Sequence, residues 1–292
     1  MNIMIALIPA LLWGTVPLII TKFGGSTRQQ TMGMTLGALT FAVIVFFFTD
    51  PVYTLKTVGI SFITGCLWTV GQMFQLQAFK IIGVSKAMPI STGMQLVGTT
   101  LCGVILFHEW DTTLRIILGF IALALIVGGI FLTSYAEKEE DGTNALKQGL
   151  ITLFISACGY VGLVVLIQGF KIDGINAILP QAIGMVLSAL IMTHSGGTEK
   201  RFNKRTLLLT IPGIIWAAGN VAMVHANQLV GVATGFSLSQ LGVVISTIGG
   251  IVLLKEKKTT KRNVFCYCGR SFSRSRRNFN RRCKRCLINY FV

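Results

Sequence analysis

The sequence predicts an all-α, polytopic membrane protein, and three observations carry that prediction. Hydrophobic residues fill 52% of the 292 positions and charged residues only 12%, with mean hydropathy +0.70, whereas soluble domains carry charge at about a quarter of positions. Apolar windows of roughly 17 to 25 residues, each long enough to cross ~30 Å of hydrocarbon as a helix, recur from the first residues onward. The chain also repeats itself. The same composition excludes a disordered chain and a disulfide-stapled secreted module, because apolar residues dominate and the seven cysteines follow no framework.

Nine spans are expected, in order: Ile3 to Ile20, Met32 to Phe48, Val58 to Phe79, Val84 to Phe107, Leu114 to Tyr135, Gln148 to Phe170, Ala177 to Met192, Thr206 to Gln228 and Val232 to Leu254. The opening Met1-Asn2-Ile3 has no basic region and no small-residue cleavage site follows, so the first span is expected to be retained. Short polar connections separate the spans and leave no room for a soluble domain. Lys and Arg in the loops sort onto two faces. One face carries Lys22, Arg28, Lys80, Lys86, Lys138, Lys147, Lys200, Arg201, Lys204 and Arg205; the other carries Lys56, Arg115 and Lys171. The richer face is expected inside, which places the N-terminus outside.

Duplication is a sequence mark of secondary carriers. At a shift of 148 residues, Gly65, Trp68, Gly71, Ala78, Gly83, Val84 and Ser91 fall on Gly213, Trp216, Gly219, Ala226, Gly231, Val232 and Ser239, and Gln72 falls on Asn220. If the acidic stretch near Glu139 divides the halves, residues 1–136 form a first repeat of five helices, 137–147 an acidic inter-repeat loop, and 148–254 a second repeat. An odd number of helices per half gives the two copies opposite membrane orientations. The second repeat shows only four spans.

The remaining residues, 255–292, are a basic tail rich in Cys and Arg. Residues 1–254 hold 13 Lys+Arg against 9 Asp+Glu, so +12 of the formal charge of +16 belongs to the tail. The tail reads as a cytoplasmic segment drawn to anionic headgroups, or as a shifted reading frame. Permitted codons for Lys261 to Arg285, read after losing one base, encode about twenty apolar residues. They contain VGGIL, an echo of Val127-Gly128-Gly129-Ile130-Phe131 at the end of the fifth span. That run would be the missing tenth helix, and the inverted repeat would then be five plus five. Cys266, Cys268, Cys283 and Cys286 have spacings that make a poor zinc site.

KFGG at Lys22, GVSKAMPISTGMQLVGTTL from Gly83, EW at Glu109 and GVATGFSLSQ from Gly231 resemble the bacterial glucose/ribose uptake family of the drug/metabolite transporter superfamily. The likeness covers residues 1 to about 262, and the two long motifs occupy matching places in the two halves. The resemblance implies a ten-helix inverted repeat in the bacterial plasma membrane that imports a sugar with protons by alternating access. Glucose is the expected substrate; ribose, or another metabolite or drug of the superfamily, is the alternative.

A carrier needs polar groups near the midplane, in segments whose backbone can open. The fourth span offers Ser91, Thr92 and Gln95 beside Pro89 and Gly93, and the ninth offers Ser239 and Gln240. The third and eighth spans add Trp68, Gln72 and Gln75, then Trp216 and Asn220. Amides can donate to and accept from sugar hydroxyls, and an indole can cover the apolar C–H face. The same residues also fit interhelical glue, and the tryptophans fit packing or interface positions. Proton coupling has two candidates, Glu109 at the end of the fourth span and His225 in the eighth, each also explained by solvation at a helix end. Motifs for an enzyme are lacking, with no HExxH, GxSxG or P-loop. No metal, cofactor or nucleic-acid partner is expected; the partners are the sugar, protons and the bilayer.

Overall fold

The computed structural model describes residues 4–107 except 6, scattered positions from 112 to 128, and 142–194, 200–230 and 238–254, and every regular element among them is a helix. These are α1 (Ile8–Phe23), α2 (Thr27–Phe48), α3 (Leu55–Ile82), α4 (Val84–Phe107), α5 (Gly142–Gly169), α6 (Gly174–Met192), the short α7 (Lys204–Leu208), α8 (Thr210–Val230) and α9 (Gly242–Val252). Six runs are long and apolar enough to cross a membrane, and α1 and α9 are shorter apolar helices. The chain is thus a multi-pass membrane protein. All described helices fall in one unit, Met1–Lys258; a second unit, Thr259–Val292, lies outside the described residues. Most of the fifth expected span, the 137–147 loop except its last residues, and the shifted-frame tail lie outside them as well.

Polar residues at the ends of the apolar runs decide where helices start and stop. Gly24 and Gly25, at φ 68° and 94°, take the left-handed turn that ends α1. Ser26 then caps α2, its hydroxyl accepting from the Gln29 amide at 3.3 Å while Gln29 Oε1 accepts from the Ser26 amide at 3.2 Å, a reciprocal capping box. Thr54 caps α3 by accepting from the Thr57 amide at 3.1 Å, so α3 begins three residues before the apolar span expected at Val58. Asp173 caps α6 by accepting from the Ile175 and Asn176 amides. The eighth expected span resolves into α7 and α8, with Asn203 capping α7 through the Thr206 amide at 2.9 Å.

Helix packing comes in matched pairs. Helix α3 packs on α5 and α6, while α8 packs on α1 and α2; α4 packs on α5, and α9 packs on α1. Where α3 crosses α6, a methyl group at Gly65 would overlap the carbonyl oxygen of Gln181, and where α8 crosses α2, one at Gly213 would overlap that of Met34. These two glycines coincide at the 148-residue shift. Without side chains, the helices touch backbone to backbone, the close approach that small residues permit in membranes.

The loops also gather at two ends. At one end Lys80 Nζ donates to the Gly25 carbonyl at 3.0 Å, Gln29 Nε2 to the Lys200 carbonyl at 3.0 Å, and Arg28 Nε to the Thr193 carbonyl at 2.9 Å. At the other, the Val52 amide donates to Asn176 Oδ1 at 2.9 Å and Lys56 Nζ stands 5.5 Å from the Phe170 ring centre. The cation-rich loops and the cation-poor loops therefore occupy opposite ends of the bundle.

Candidate functional site

A cavity of about 200 Å³ lies between α1, α3, α4, α5, α8 and the segment entering α9. That is below the ~300 to 1,000 Å³ of clefts for drug-sized ligands, so it suits a small solute. Helical spacing puts its polar residues in register: Trp68, Gln72 and Gln75 recur on one face of α3, Thr92, Gln95 and Thr99 on one face of α4, and Trp216 and Asn220 on one face of α8. Ser239 and Gln240 reach the cavity just before α9 begins. Every described side chain lining the cavity is uncharged.

At the centre the Trp68 and Trp216 rings meet, with centroids 4.5 Å apart and planes tilted by 52°. Trp68 is almost wholly buried, at 2% exposure, and Trp216 is half-buried. Around them the amides differ in how firmly they are held. Gln72 Oε1 accepts from the Tyr160 hydroxyl at 2.7 Å, and Gln72 Nε2 donates to Met34 Sδ at 3.2 Å. Gln75 Oε1 stands 3.1 Å from the same hydroxyl, and its Nε2 donates to Ser91 Oγ at 2.8 Å. Gln95 Nε2 also donates to Ser91 Oγ, at 3.0 Å. Across the cavity, Gln240 Nε2 donates to Ser239 Oγ at a longer 3.3 Å. Asn220 carries no side-chain hydrogen bond among the described residues.

Eight of the nine residues singled out from sequence, Trp68, Gln72, Thr92, Gln95, Trp216, Asn220, Ser239 and Gln240, line this one cavity. Ser91, the ninth, is fully buried behind the wall, where it joins Gln75 to Gln95. His225 is placed elsewhere, on an exposed face of α8 and not on the cavity wall. Glu109 lies outside the described residues. No group of three or more His, Cys, Asp and Glu is arranged to hold a metal among the described residues.

Among the wall residues that the sequence did not reveal, two aromatics make polar links. Trp13 of α1 lines the cavity and donates from Nε1 to the Trp216 carbonyl at 3.1 Å, and Tyr160 of α5 joins two glutamines. Each is one aromatic in a run of apolar residues, and its partners are distant in sequence. A signal existed: Gly14 and Val16 fall on Gly162 and Val164 at the 148-residue shift, which puts Trp13 one position from the equivalent of Tyr160.

A family model described as sugar transport protein matches residues 4–272. Two Listeria proteins provisionally named for sugar uptake align over 269 residues, 92% of this chain and 94% of each relative: one of Listeria monocytogenes at 96% identity and one of Listeria innocua at 95%. The glucose uptake protein GlcU of Bacillus subtilis is 46% identical over 264 residues, 89% of this chain and 91% of the relative.

Proposed function

Since the chain belongs to the sugar transport protein family, we propose that it imports a sugar, with glucose as the substrate, by proton symport through alternating access. The observation that carries this reading is the cavity: uncharged, small, walled by amides and tryptophans drawn from both halves of the chain. An ion would find no counter-charge among the described residues of that wall. A polyol finds donors and acceptors for its hydroxyls and aromatic faces for its C–H groups. The names of relatives, sugar uptake in Listeria and glucose uptake in Bacillus subtilis, point the same way.

In this reading the protein is an inverted repeat of five plus five helices, of the drug/metabolite transporter type, in a bacterial plasma membrane. The matched helix pairs support it: exchanging α1 with α5, α2 with α6, α3 with α8 and α4 with α9 turns α3–α5 into α8–α1, α3–α6 into α8–α2 and α4–α5 into α9–α1, all of them observed pairs. The shared glycine crossings support it further. The tenth helix is the one that the shifted frame of residues 255–292 encodes.

Uptake of labelled glucose and ribose into vesicles, with and without an imposed pH gradient, tests the reading. Glucose uptake raised by an inward proton gradient is the expected result. Ribose alone taken up would change the substrate, and no stimulated uptake of either would end the sugar assignment. For orientation, with the N-terminus outside, a cysteine replacing Asp173 should react with an impermeant thiol reagent in intact cells and one replacing Asn203 should not. The reverse pattern would invert the topology.

A further inference from the structure

The hydrogen bonds around Tyr160 leave one acceptor short of a donor. Gln75 is oriented by Ser91, which receives its amide nitrogen at 2.8 Å, and Gln72 by Met34 Sδ at 3.2 Å, so both turn their carbonyl oxygens toward the same phenol. A phenol carries one proton. It goes to the nearer oxygen, Gln72 Oε1 at 2.7 Å, and Gln75 Oε1 at 3.1 Å is left without a full hydrogen bond. Gln75 lines the cavity, so the unsatisfied oxygen borders the space where a solute sits.

We infer that Tyr160 is a positioning residue for substrate selection: by spending its proton on Gln72, it leaves Gln75 Oε1, which Ser91 orients through the amide nitrogen, as an acceptor for one donor hydroxyl of the sugar. This rests on the sugar reading above and extends it to a preference for one hydroxyl. A buried acceptor left unpaired is costly, so an analogue lacking that hydroxyl is rejected. An analogue with fluorine there fares no better, because fluorine cannot donate. The phenol itself need not touch the sugar.

The test is a binding titration with the full-length protein in nanodiscs, read by intrinsic fluorescence, since Trp13, Trp68 and Trp216 all line the cavity. Glucose is compared with its monodeoxy and monodeoxyfluoro analogues. In the wild type one ring position should stand out, with the deoxy and fluoro sugars at that position binding about tenfold more weakly than glucose. Tyr160→Phe keeps the ring but removes the phenol, freeing Gln72 to turn its amide nitrogen toward Gln75 Oε1 and satisfy it. Glucose affinity should then fall severalfold while the deoxy sugar at the selective position is hardly affected, so discrimination collapses to less than about twofold. Gln75→Leu should abolish discrimination at the same position, and it decides the matter if Tyr160→Phe accumulates poorly. A merely structural tyrosine would change abundance and leave the ratio intact. Retention of the tenfold ratio in both variants, or a wild type that binds glucose without preferring any hydroxyl, overturns the inference. A wild type whose fluorescence responds to no sugar removes the sugar assignment itself.

Discussion

The two sides of the cavity share a scaffold and differ in what they offer a solute. On the side of α3 and α4, Gln72, Gln75 and Gln95 are tied through Tyr160 and Ser91 into a chain with contacts of 2.7 to 3.1 Å. On the side of α8 and α9, the 148-residue shift puts Asn220 opposite Gln72 but Met223 opposite Gln75 and Val243 opposite Gln95. The Asn220 side chain there has no hydrogen bond among the described residues, and that of Gln240 has one at 3.3 Å. The glycine crossings, in contrast, coincide on both sides. Backbone contact leaves no freedom to vary, whereas a cavity wall does. If the cavity takes a sugar as proposed, the tied wall would be organised before the solute arrives and the other would adjust to it, dividing rigidity from accommodation between the halves.

The comparison breaks most severely if the second half cannot stand as written. If the tail is a shifted frame as proposed, restoring it by one base should move the C-terminus outside and raise sugar uptake severalfold, because the added helix would cover faces otherwise left to lipid. Equal uptake by both forms, measured in vesicles at matched protein, would show that the tenth helix is dispensable. The shared scaffold comes next. Gly65→Leu and Gly213→Leu each drive a side chain into a backbone carbonyl, at or above the ~1 to 3 kcal/mol usual for overpacking. Thermal unfolding in detergent should show similar losses for the two, and a large loss at only one site would deny that the crossings are equivalent.

Smaller effects sharpen the difference between the walls. Gln95→Leu and Gln240→Leu should each weaken sugar binding by roughly 1 to 3 kcal/mol at normal abundance. The Gln95 change should cost more, since Ser91 holds that amide ready at 3.0 Å. Normal affinity in both variants would make these residues interhelical glue. Smallest is Trp216→Phe, which keeps a ring against Trp68 and should cost about 0.5 to 1 kcal/mol of affinity in the same titration. A loss as large as that of Gln95→Leu would move the centre of recognition to the adjustable wall.

Much of this architecture was legible in the sequence because membranes enforce it. Spans follow from hydrocarbon thickness, and the sorting of Lys80 and Arg28 to one end and Lys56 to the other follows from counting alternate loops. The duplication led to the cavity: residues that repeat at a fixed shift and are polar inside apolar helices line it from both halves. Tyr160 was not legible, because its role depends on two glutamines 85 and 88 residues away, a distance that only packing closes. Ser91 was legible as polar but not as a residue behind the wall, since a period of 3.6 fixes a face and not which neighbour covers it. His225 illustrates the converse: a titratable side chain near a polar cluster invites a role, and the turn of α8 carries it to another face.

The uncharged lining has an electrical consequence. Moving one elementary charge through a membrane potential costs about 2.3 kcal/mol per 100 mV, so a charged wall would make each swing of an alternating-access carrier do work for or against the field. In the proposed mechanism the described residues around this cavity would bring no formal charge into that movement. An empty carrier would then return at a rate that these side chains leave insensitive to voltage, and any current during uptake would count the ions that travel with the sugar.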